Sequence, residues 1–298
     1  MQNKLHWLSQ KIHQRAWHFI QLIRINNPIG TYLLLWPTLT ALWIAGAGIP
    51  SWQNICIFIL GVILTRSAGC AINDYADRHI DKHVKRTKER PITSGNITPS
   101  EAIKTSLLLL MLSFILVLFT NKITVILSIG ALLLAACYPY MKRYTFYPQF
   151  ILGAAFSWGI LMAFTAETER LPKAAWLLYA ANVVWTIAYD TYYAMADQED
   201  DLKIGVKSTA IAFGQHARTI ILLLQIIALI LWLTAGLIFQ LSAVFYAGLF
   251  IALLGFLWQF KKTFEGNSAI YLQAFKHNHW IGLIIFISTL LSYLIKLY

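Results

Sequence analysis

The feature that most constrains this chain is a series of apolar stretches, each about as long as a lipid bilayer is thick. We predict nine membrane-spanning helices, at about residues 29–48, 53–73, 102–120, 123–138, 148–166, 174–195, 217–239, 241–260 and 279–296. A helix needs roughly 20 apolar residues to cross the hydrocarbon core, and no lipid-exposed irregular backbone is tolerated there. The sequence therefore predicts an all-α integral membrane protein.

The composition supports the same class. The 298 residues are 58% hydrophobic and only 12% charged, whereas soluble domains carry roughly 25% charged residues. The three cysteines lie in apolar stretches without zinc-binding or disulfide spacing. A net charge of +11 would also fit a nucleic-acid partner, but basic loops are expected on the cytoplasmic side of a membrane protein. We therefore expect membrane lipids, and no nucleic acid, as partners.

The distribution of Lys and Arg predicts the orientation. Residues 1–27 alternate basic and aromatic side chains, which is typical of an amphipathic helix on the membrane surface. With nine spans, 18 Lys and Arg residues fall on the side of the N-terminus and 4 on the other side. The positive-inside rule then places the N-terminus and the loops after the second and sixth spans in the cytoplasm.

Two acidic stretches end the second and the sixth predicted spans, and they contain eight of the thirteen acidic residues. Asp77 and Asp81 are four residues apart in the first stretch, as are Asp197 and Asp201 in the second. On a helix this spacing places like charges on one face, which is unfavourable without a cation. Carboxylates with an amide oxygen, here from Asn73, suit Mg²⁺. These five residues are the predicted metal ligands, for two ions.

The two stretches also indicate an internal repeat. Each is followed by a similar basic segment, at residues 84–87 and 206–209, and each ends the second helix of a four-helix set. The predicted fold is therefore two pseudo-repeated four-helix halves plus one helix.

Two metal-binding carboxylate groups at one membrane face can stabilise a pyrophosphate as a leaving group. Lys142, Arg143 and Lys207 lie in loops on the same side and are candidates to bind the phosphates. An acceptor carboxylate would need its own cation. Arg24, before the first span, and Arg66, inside the second, are the two candidates, since a charged residue within a span is by default functional.

At these positions the sequence resembles the UbiA family of intramembrane aromatic prenyltransferases. The family pattern N-D-x-x-D-x-x-x-D matches residues 73–81, D-x-x-x-D matches residues 197–201, and Y-x-x-x-K matches Tyr138 and Lys142. Residues 24–30, 85–91, 138–143 and 205–209 resemble the bacterial branch that uses 4-hydroxybenzoate. The resemblance is close over residues 24–215, and the later spans match only by hydropathy.

The resemblance implies a single domain over residues 1–298, with nine transmembrane helices in a ring around a central cavity open sideways to lipid. It implies Mg²⁺-dependent transfer of a polyprenyl group from a lipid-embedded polyprenyl diphosphate to the 3-position of 4-hydroxybenzoate. This is an early step of ubiquinone biosynthesis at the bacterial inner membrane. The implied catalytic residues are Asp77, Asp81, Asp197, Asp201 and Arg143; the diphosphate ligands are Lys142, Arg143, Lys207 and Tyr138; Arg24 and Arg66 bind the acceptor.

Other functions fit parts of the pattern. Within the family, the acceptor can instead be a haem, a naphthoate or a glycerol phosphate. A cation-coupled transporter also combines membrane carboxylates with a repeat, but its sites lie near the midplane, whereas these carboxylates lie at span ends.

Overall fold

The computed structural model describes residues 13–296 and is all-helical over that range. Residues 13–22 are helical and are named α1. The further helices are α2 (Ile29–Ala45), α3 (Trp52–Asp77), α4 (Pro99–Val117), α5 (Lys122–Met141), α6 (Pro148–Thr168), α7 (Lys173–Ile204), α8 (Thr209–Phe213), α9 (Ala217–Ile238), α10 (Ala243–Lys262) and α11 (Ser268–Lys296). Short 3₁₀ turns lie at Asp81–His83, Gly214–His216 and Thr263–Glu265.

Seven segments of the described range are helices long and apolar enough to cross a membrane, so the protein is a multi-pass membrane protein. They correspond to α3–α6 and α9–α11. Two other predicted spans fall on α2, which has 17 residues, and on α7, which is more polar. The crossings at α2 and α7 therefore stay predictions.

The predicted surface segment at residues 1–27 is described only from residue 13 onward, so residues 1–12 lie outside the described part. Leu22, at the end of α1, is fully buried against Ala71 of α3 and Ala102 of α4. The segment that leads into α2 is therefore packed against the protein as well as basic.

The long helices form a ring in chain order, and α11 closes the ring against α2. Neighbouring helices pack against each other except α4 and α5, which barely touch. Helix α6 also packs across the ring against α2, and α7 against α11. On that side the interior is filled by large buried side chains, including Trp185, Phe245 and Phe256. The remaining space lies on the other side of the ring.

A cavity of about 1150 Å³ occupies that space. Residues of α2–α7 and their connecting loops line it, together with three residues of α11, whereas no described residue of α9 or α10 does. The predicted cavity inside the helical ring is present, and it lies off-centre, on the side of α2–α7. The cross-ring packing of α6 on α2 shifts the space into the first six long helices.

One side of the cavity is open between α4 and α5. These two helices barely contact each other, because α4 packs along α3 and α5 packs along α6. Apolar side chains at this gap both line the cavity and are exposed on the outer surface: Leu107, Phe114, Ile129, Leu132 and Leu133. The cavity thus opens sideways, at the level of the apolar surface.

Candidate active site at the cavity mouth

The first acidic group lies where α3 ends. Asp77, the last residue of α3, is 2% exposed, and its Oδ2 lies 2.5 Å from Nζ of Lys142 at the end of α5. The Asn73 amide donates to the same oxygen at 3.1 Å, one turn earlier. The other oxygen of Asp77, Oδ1, is buried without a hydrogen-bond partner in the described part. One lone-pair-bearing oxygen is therefore left for a ligand.

The helix ends sooner than the four-residue spacing predicts. Asp81 does not continue the helical face of Asp77, because α3 stops there and Asp81 begins a separate 3₁₀ turn. Arg90 draws this turn inward: its Nη1 lies 2.8 Å from Asp81 and 3.0 Å from Asp74. Asp81 therefore still reaches the mouth, where it lines the cavity.

The second acidic group lies on the last two turns of α7. Asp197 and Asp201 both line the cavity, and here the predicted shared helical face is confirmed. Arg86 donates through Nε to Asp197 at 3.0 Å and through Nη2 at 2.5 Å. Burial, with the neighbouring Asp197 carboxylate, raises the pKa of Asp201 to about 7. A cation at this position would favour the ionised carboxylate.

The loop between α3 and α4 joins the two acidic groups. Arg90 binds carboxylates of the first, while Arg86 binds the second and stacks over Tyr193 of α7 at 4.4 Å. The backbone N–H of Lys85 also donates to Asp200 at 3.1 Å. Arg86 and Arg90 were not among the predicted site residues. Their positive charge, in a loop that directly follows the acids, was the available indication of this role.

The predicted phosphate-binding residues do not all face the cavity. Tyr138, Lys142 and Lys207 line it. Arg143 does not: it is exposed, and its Nη2 donates to the backbone carbonyl of Ala76 at 2.5 Å. The geometry therefore gives Arg143 a contact that supports the end of α3, and leaves its predicted binding role without a cavity contact.

The two predicted acceptor-binding arginines differ in whether they form an ion pair. Arg24 lies at the mouth, and its Nη2 donates to both oxygens of Asp74 at 3.0 Å. Arg66 lies on α3 about two turns below Asn73, lines the cavity and forms no ion pair within 4.0 Å among the described residues. Its Nε is buried without a hydrogen-bond partner. Arg66 is thus the more available cation.

Glycine at position 30 makes room for Arg66. A Cβ on Gly30 would lie 2.4 Å from Nη2 of Arg66, so the guanidinium rests directly against the α2 backbone. On its other side, the guanidinium lies over the Phe156 ring of α6, 5.5 Å from the centroid.

A third acidic position lies deeper and was not among the predicted site residues. Asp190 of α7 lies two turns before Asp197 and lines the cavity. Arg66 and Gln149 of α6 are among its polar neighbours. The sequence did not predict Asp190 as a site residue, because its polar neighbours Arg66 and Gln149 come from other helices and spacing along one segment does not show them.

The donor set fits Mg²⁺ held jointly by protein and substrate. Among residues 13–296, no three Asp, Glu, His or Cys side chains converge into a metal-binding cluster. Arg and Lys side chains separate the carboxylates instead. Mg²⁺ typically takes one or two carboxylates and completes its shell with water and substrate phosphates. The free Oδ1 of Asp77 and the Asp197–Asp201 pair suit that arrangement, whereas an all-protein cage does not fit.

The fold and the site together define a multi-pass membrane protein whose sideways-open apolar cavity ends in a charged, carboxylate-rich mouth. The model of the UbiA prenyltransferase family matches residues 34–290, most of the chain. The chain belongs to this family.

Its relatives agree in length and sequence. A protein of Ectopseudomonas mendocina (strain ymp) described as 4-hydroxybenzoate octaprenyltransferase is 58% identical over 296 residues, which are 99% of this chain and 100% of the relative. A protein of Pseudomonas syringae pv. syringae (strain B728a) with the same description is 59% identical, over 96% of this chain and 97% of its own.

Solved structures share the fold at low sequence identity. The apo structure of a UbiA homologue from Aeropyrum pernix K1 has a TM-score of 0.77 at 21% identity, covering 89% of this chain and 98% of its own. A UbiA homologue from Archaeoglobus fulgidus bound to GPP and Mg²⁺ has a TM-score of 0.72 at 18% identity, covering 93% and 99%.

Proposed function

We propose that this protein transfers a polyprenyl group from a polyprenyl diphosphate to the 3-position of 4-hydroxybenzoate, an early membrane step of ubiquinone biosynthesis. One observation carries the proposal: the two carboxylate groups lie at the mouth of an apolar cavity whose side is open to lipid. The choice of 4-hydroxybenzoate rests on full-length relatives at 58–59% identity that carry that substrate in their names. On this proposal residues 1–298 form one domain, and all nine long helices, α2 and α7 included, cross the inner membrane.

The mouth binds the diphosphate. When bound, two Mg²⁺ ions would neutralise the diphosphate and stabilise it as a leaving group, held by Asn73, Asp77, Asp81, Asp197 and Asp201. Lys142 and Lys207 line the same mouth and are placed to bind phosphate oxygens. Arg86 and Arg90 now neutralise the acids and can exchange them for phosphate. Arg143 acts indirectly in this scheme, through the end of α3.

The apolar part of the cavity binds the prenyl chain. An isoprenoid tail has the same polarity as the Leu, Ile and Phe side chains that line the α4–α5 gap. Excess length can therefore extend through this gap into the bilayer. Water is excluded along the same walls, which protects a reactive allylic carbon from hydrolysis.

The acceptor binds below the diphosphate. A 4-hydroxybenzoate carboxylate needs a charge-assisted donor away from the metal ligands, with which it would otherwise compete. Arg66 meets this requirement, whereas Arg24 is engaged by Asp74. We therefore place the acceptor carboxylate at Arg66 and keep Arg24 as a support of the mouth.

Incorporation of ring-labelled 4-hydroxybenzoate into a lipid-extractable product tests the proposal. Membranes containing the full chain should form this product with a polyprenyl diphosphate and Mg²⁺, and should stop when the metal is chelated. Membranes with equal amounts of Asp77→Ala serve as the control. Product formation with a naphthoate, haem or glycerol phosphate acceptor, and none with 4-hydroxybenzoate, would overturn the assignment within the family. Absence of any prenylated product would leave transport as the better explanation.

A further inference from the structure

Asp190 is a carboxylate within the cavity that the proposed diphosphate chemistry does not use. It lies on α7, two turns or about 10 Å below Asp197, and lines the cavity. An ionisable side chain at membrane depth is costly unless it is paired or functional. Its position therefore needs an explanation of its own.

The cavity presents a cation at a similar depth. Arg66 lies on α3, about two turns below Asn73, and also lines the cavity. Among the described residues, Arg66 and Asp190 are not within the 4.0 Å of an ion pair, and Nε of Arg66 has no hydrogen-bond partner. The two opposite charges thus line one cavity without forming an ion pair, so a ligand in that cavity can contact both.

The chemistry of the two groups sets the orientation of that ligand. Guanidinium is a donor only, and an ionised carboxylate is an acceptor only. 4-Hydroxybenzoate has a carboxylate at one end of its ring and a hydroxyl at the other. Its carboxylate can bind Arg66 and would be repelled by Asp190, so the hydroxyl is the end that faces Asp190.

We propose that Asp190 is the general base that accepts the phenol proton of the acceptor, because it lines the same cavity as Arg66 without forming an ion pair with it. This inference rests on the proposed function and names a further catalytic residue for it.

The allylic C1–O bond of the donor breaks, and its electron pair leaves with the diphosphate. Ring carbon 3 bonds to C1 while the phenol proton passes to Asp190, and the O–H electron pair forms the C=O bond of a dienone. The proton on carbon 3 then passes to the departed diphosphate. The ring regains its aromatic electrons, and the oxygen takes its proton back from Asp190.

Other titratable groups act on Asp190 from the surrounding elements. They are Arg66 of α3, Arg86 of the α3–α4 loop, Tyr138 of α5, and Tyr189 and Asp197 of α7, with Gln149 of α6 as a neutral polar neighbour. Two cations and one carboxylate therefore modulate the base, and the pH test must separate its effect from theirs.

The test compares the full-length wild type with Asp190→Asn in membranes, with both substrates saturating. We expect Asp190→Asn to lower kcat at pH 7 by about 100-fold, the smaller end of general-base effects. Between pH 7 and 9 its kcat should rise about tenfold per pH unit, as hydroxide replaces the base, while the wild type changes less than threefold. The loss should shrink at least fivefold with 3-fluoro-4-hydroxybenzoate, because its phenol is more acidic.

The controls separate chemistry from structure. Asp190→Glu keeps a carboxylate and should keep the flat pH profile. Glu199→Gln makes the same carboxylate-to-amide change at an exposed position of α7 and should behave as wild type. If Asp190→Asn does not accumulate in membranes, Asp190→Ser replaces it, with the same expected pH profile.

Two results would overturn the inference. One is unchanged kcat in Asp190→Asn. The other is a loss of equal size at every pH and with both acceptors, which is what a purely structural role produces. A wild type that prenylates another acceptor but never 4-hydroxybenzoate would refute the proposed function, and the role of Asp190 with it.

Discussion

At the scale of single residues, three of the predicted metal-binding acids at the mouth are each paired with a base of the same chain. Asp77 is held by Lys142, Asp197 by Arg86, and Asp81 by Arg90. Removing one partner of a buried ion pair leaves an uncompensated charge. The same pairs therefore hold the mouth together before substrate binds and must rearrange when it does.

Replacement of any one of Asp77, Asp81, Asp197 and Asp201 by Ala should lower turnover at least 100-fold. The reason is the loss of one metal-mediated stabilisation of the leaving group, about 3 kcal/mol. Turnover is measured in membranes with equal protein levels, and Glu199→Ala, at an exposed position of the same helix as Asp197, is the matched control. Near wild-type turnover in any two of the four variants would refute the two-metal arrangement.

Gly30→Ala, at a position that lines the cavity beside Arg66, should weaken acceptor binding by displacing the Arg66 side chain. Its methyl group would overlap the Arg66 guanidinium, which can move because it is the end of a flexible side chain. We expect the KM for 4-hydroxybenzoate to rise about three- to tenfold, up to the 1.4 kcal/mol that corresponds to tenfold, with little change in the donor KM. Gly69→Ala, whose Cβ would meet nothing within 4 Å, is the control. Equal effects of the two variants would remove Arg66 from the acceptor site.

The sequence predicted the residue types of the site better than their partners. Asn73, Asp77, Asp81, Asp197 and Asp201 all line the cavity as expected. The sequence favoured Arg24 over Arg66 as the cation for the acceptor, and only the three-dimensional contact of Arg24 with Asp74 reverses that order. Pairing between distant segments is a property of the fold, and spacing along one segment does not report it.

At the scale of elements, helix existence was predictable and helix ends were not. The last helix, α11, begins at Ser268, eleven residues before the predicted span at 279–296. The added turns are polar, and a hydropathy pattern assigns such residues to a loop. They remain helical because of tertiary contacts, for example the bond from Trp185 Nε1 of α7 to Asn278 Oδ1 at 2.9 Å.

Helix α3 has a glycine on its cavity-lining face, where a larger side chain would enter the path of the prenyl tail. Gly61 lines the cavity about four turns below Asp77, and a Cβ there would meet nothing within 4 Å. Gly61→Phe should fill the path of a long tail, so turnover with farnesyl and longer diphosphates should fall more than tenfold. Geranyl diphosphate, with a shorter tail, should change less than about threefold.

Turnover is compared across donors at saturating 4-hydroxybenzoate. Leu60→Phe adds a similar ring at the neighbouring position, on a side chain that is exposed and does not line the cavity. If Gly61→Phe slows all donors equally, the tail does not pass along this face of α3.

At the scale of the whole molecule, the excess of Lys and Arg on one side predicts the orientation. Because positive loops are retained in the cytoplasm, we expect the loop after α3 to be cytoplasmic and the start of α3 to lie outside. Ser51 and Ser94 are both exposed and lie at these two ends, so they form a matched pair for labelling.

In a background with Cys56, Cys70 and Cys137 replaced by Ser, an impermeant maleimide added to intact cells should label Ser51→Cys. Ser94→Cys should react only after permeabilisation. The reverse pattern would place the mouth outside the cell, away from the pool of cytoplasmic diphosphates.

Arg66 lies about two helical turns deeper in the cavity than Asn73 at the mouth, and this difference in depth affects the order in which acceptor and donor bind. A donor whose diphosphate fills the mouth covers the route from the cytoplasm to the Arg66–Asp190 level, while its own tail occupies the α4–α5 gap. The acceptor should therefore bind first and become occluded by the donor. With a non-reactive thiolo-diphosphate donor present, release of labelled 4-hydroxybenzoate should slow by tenfold or more, so that the lipid substrate serves as the lid over the soluble one.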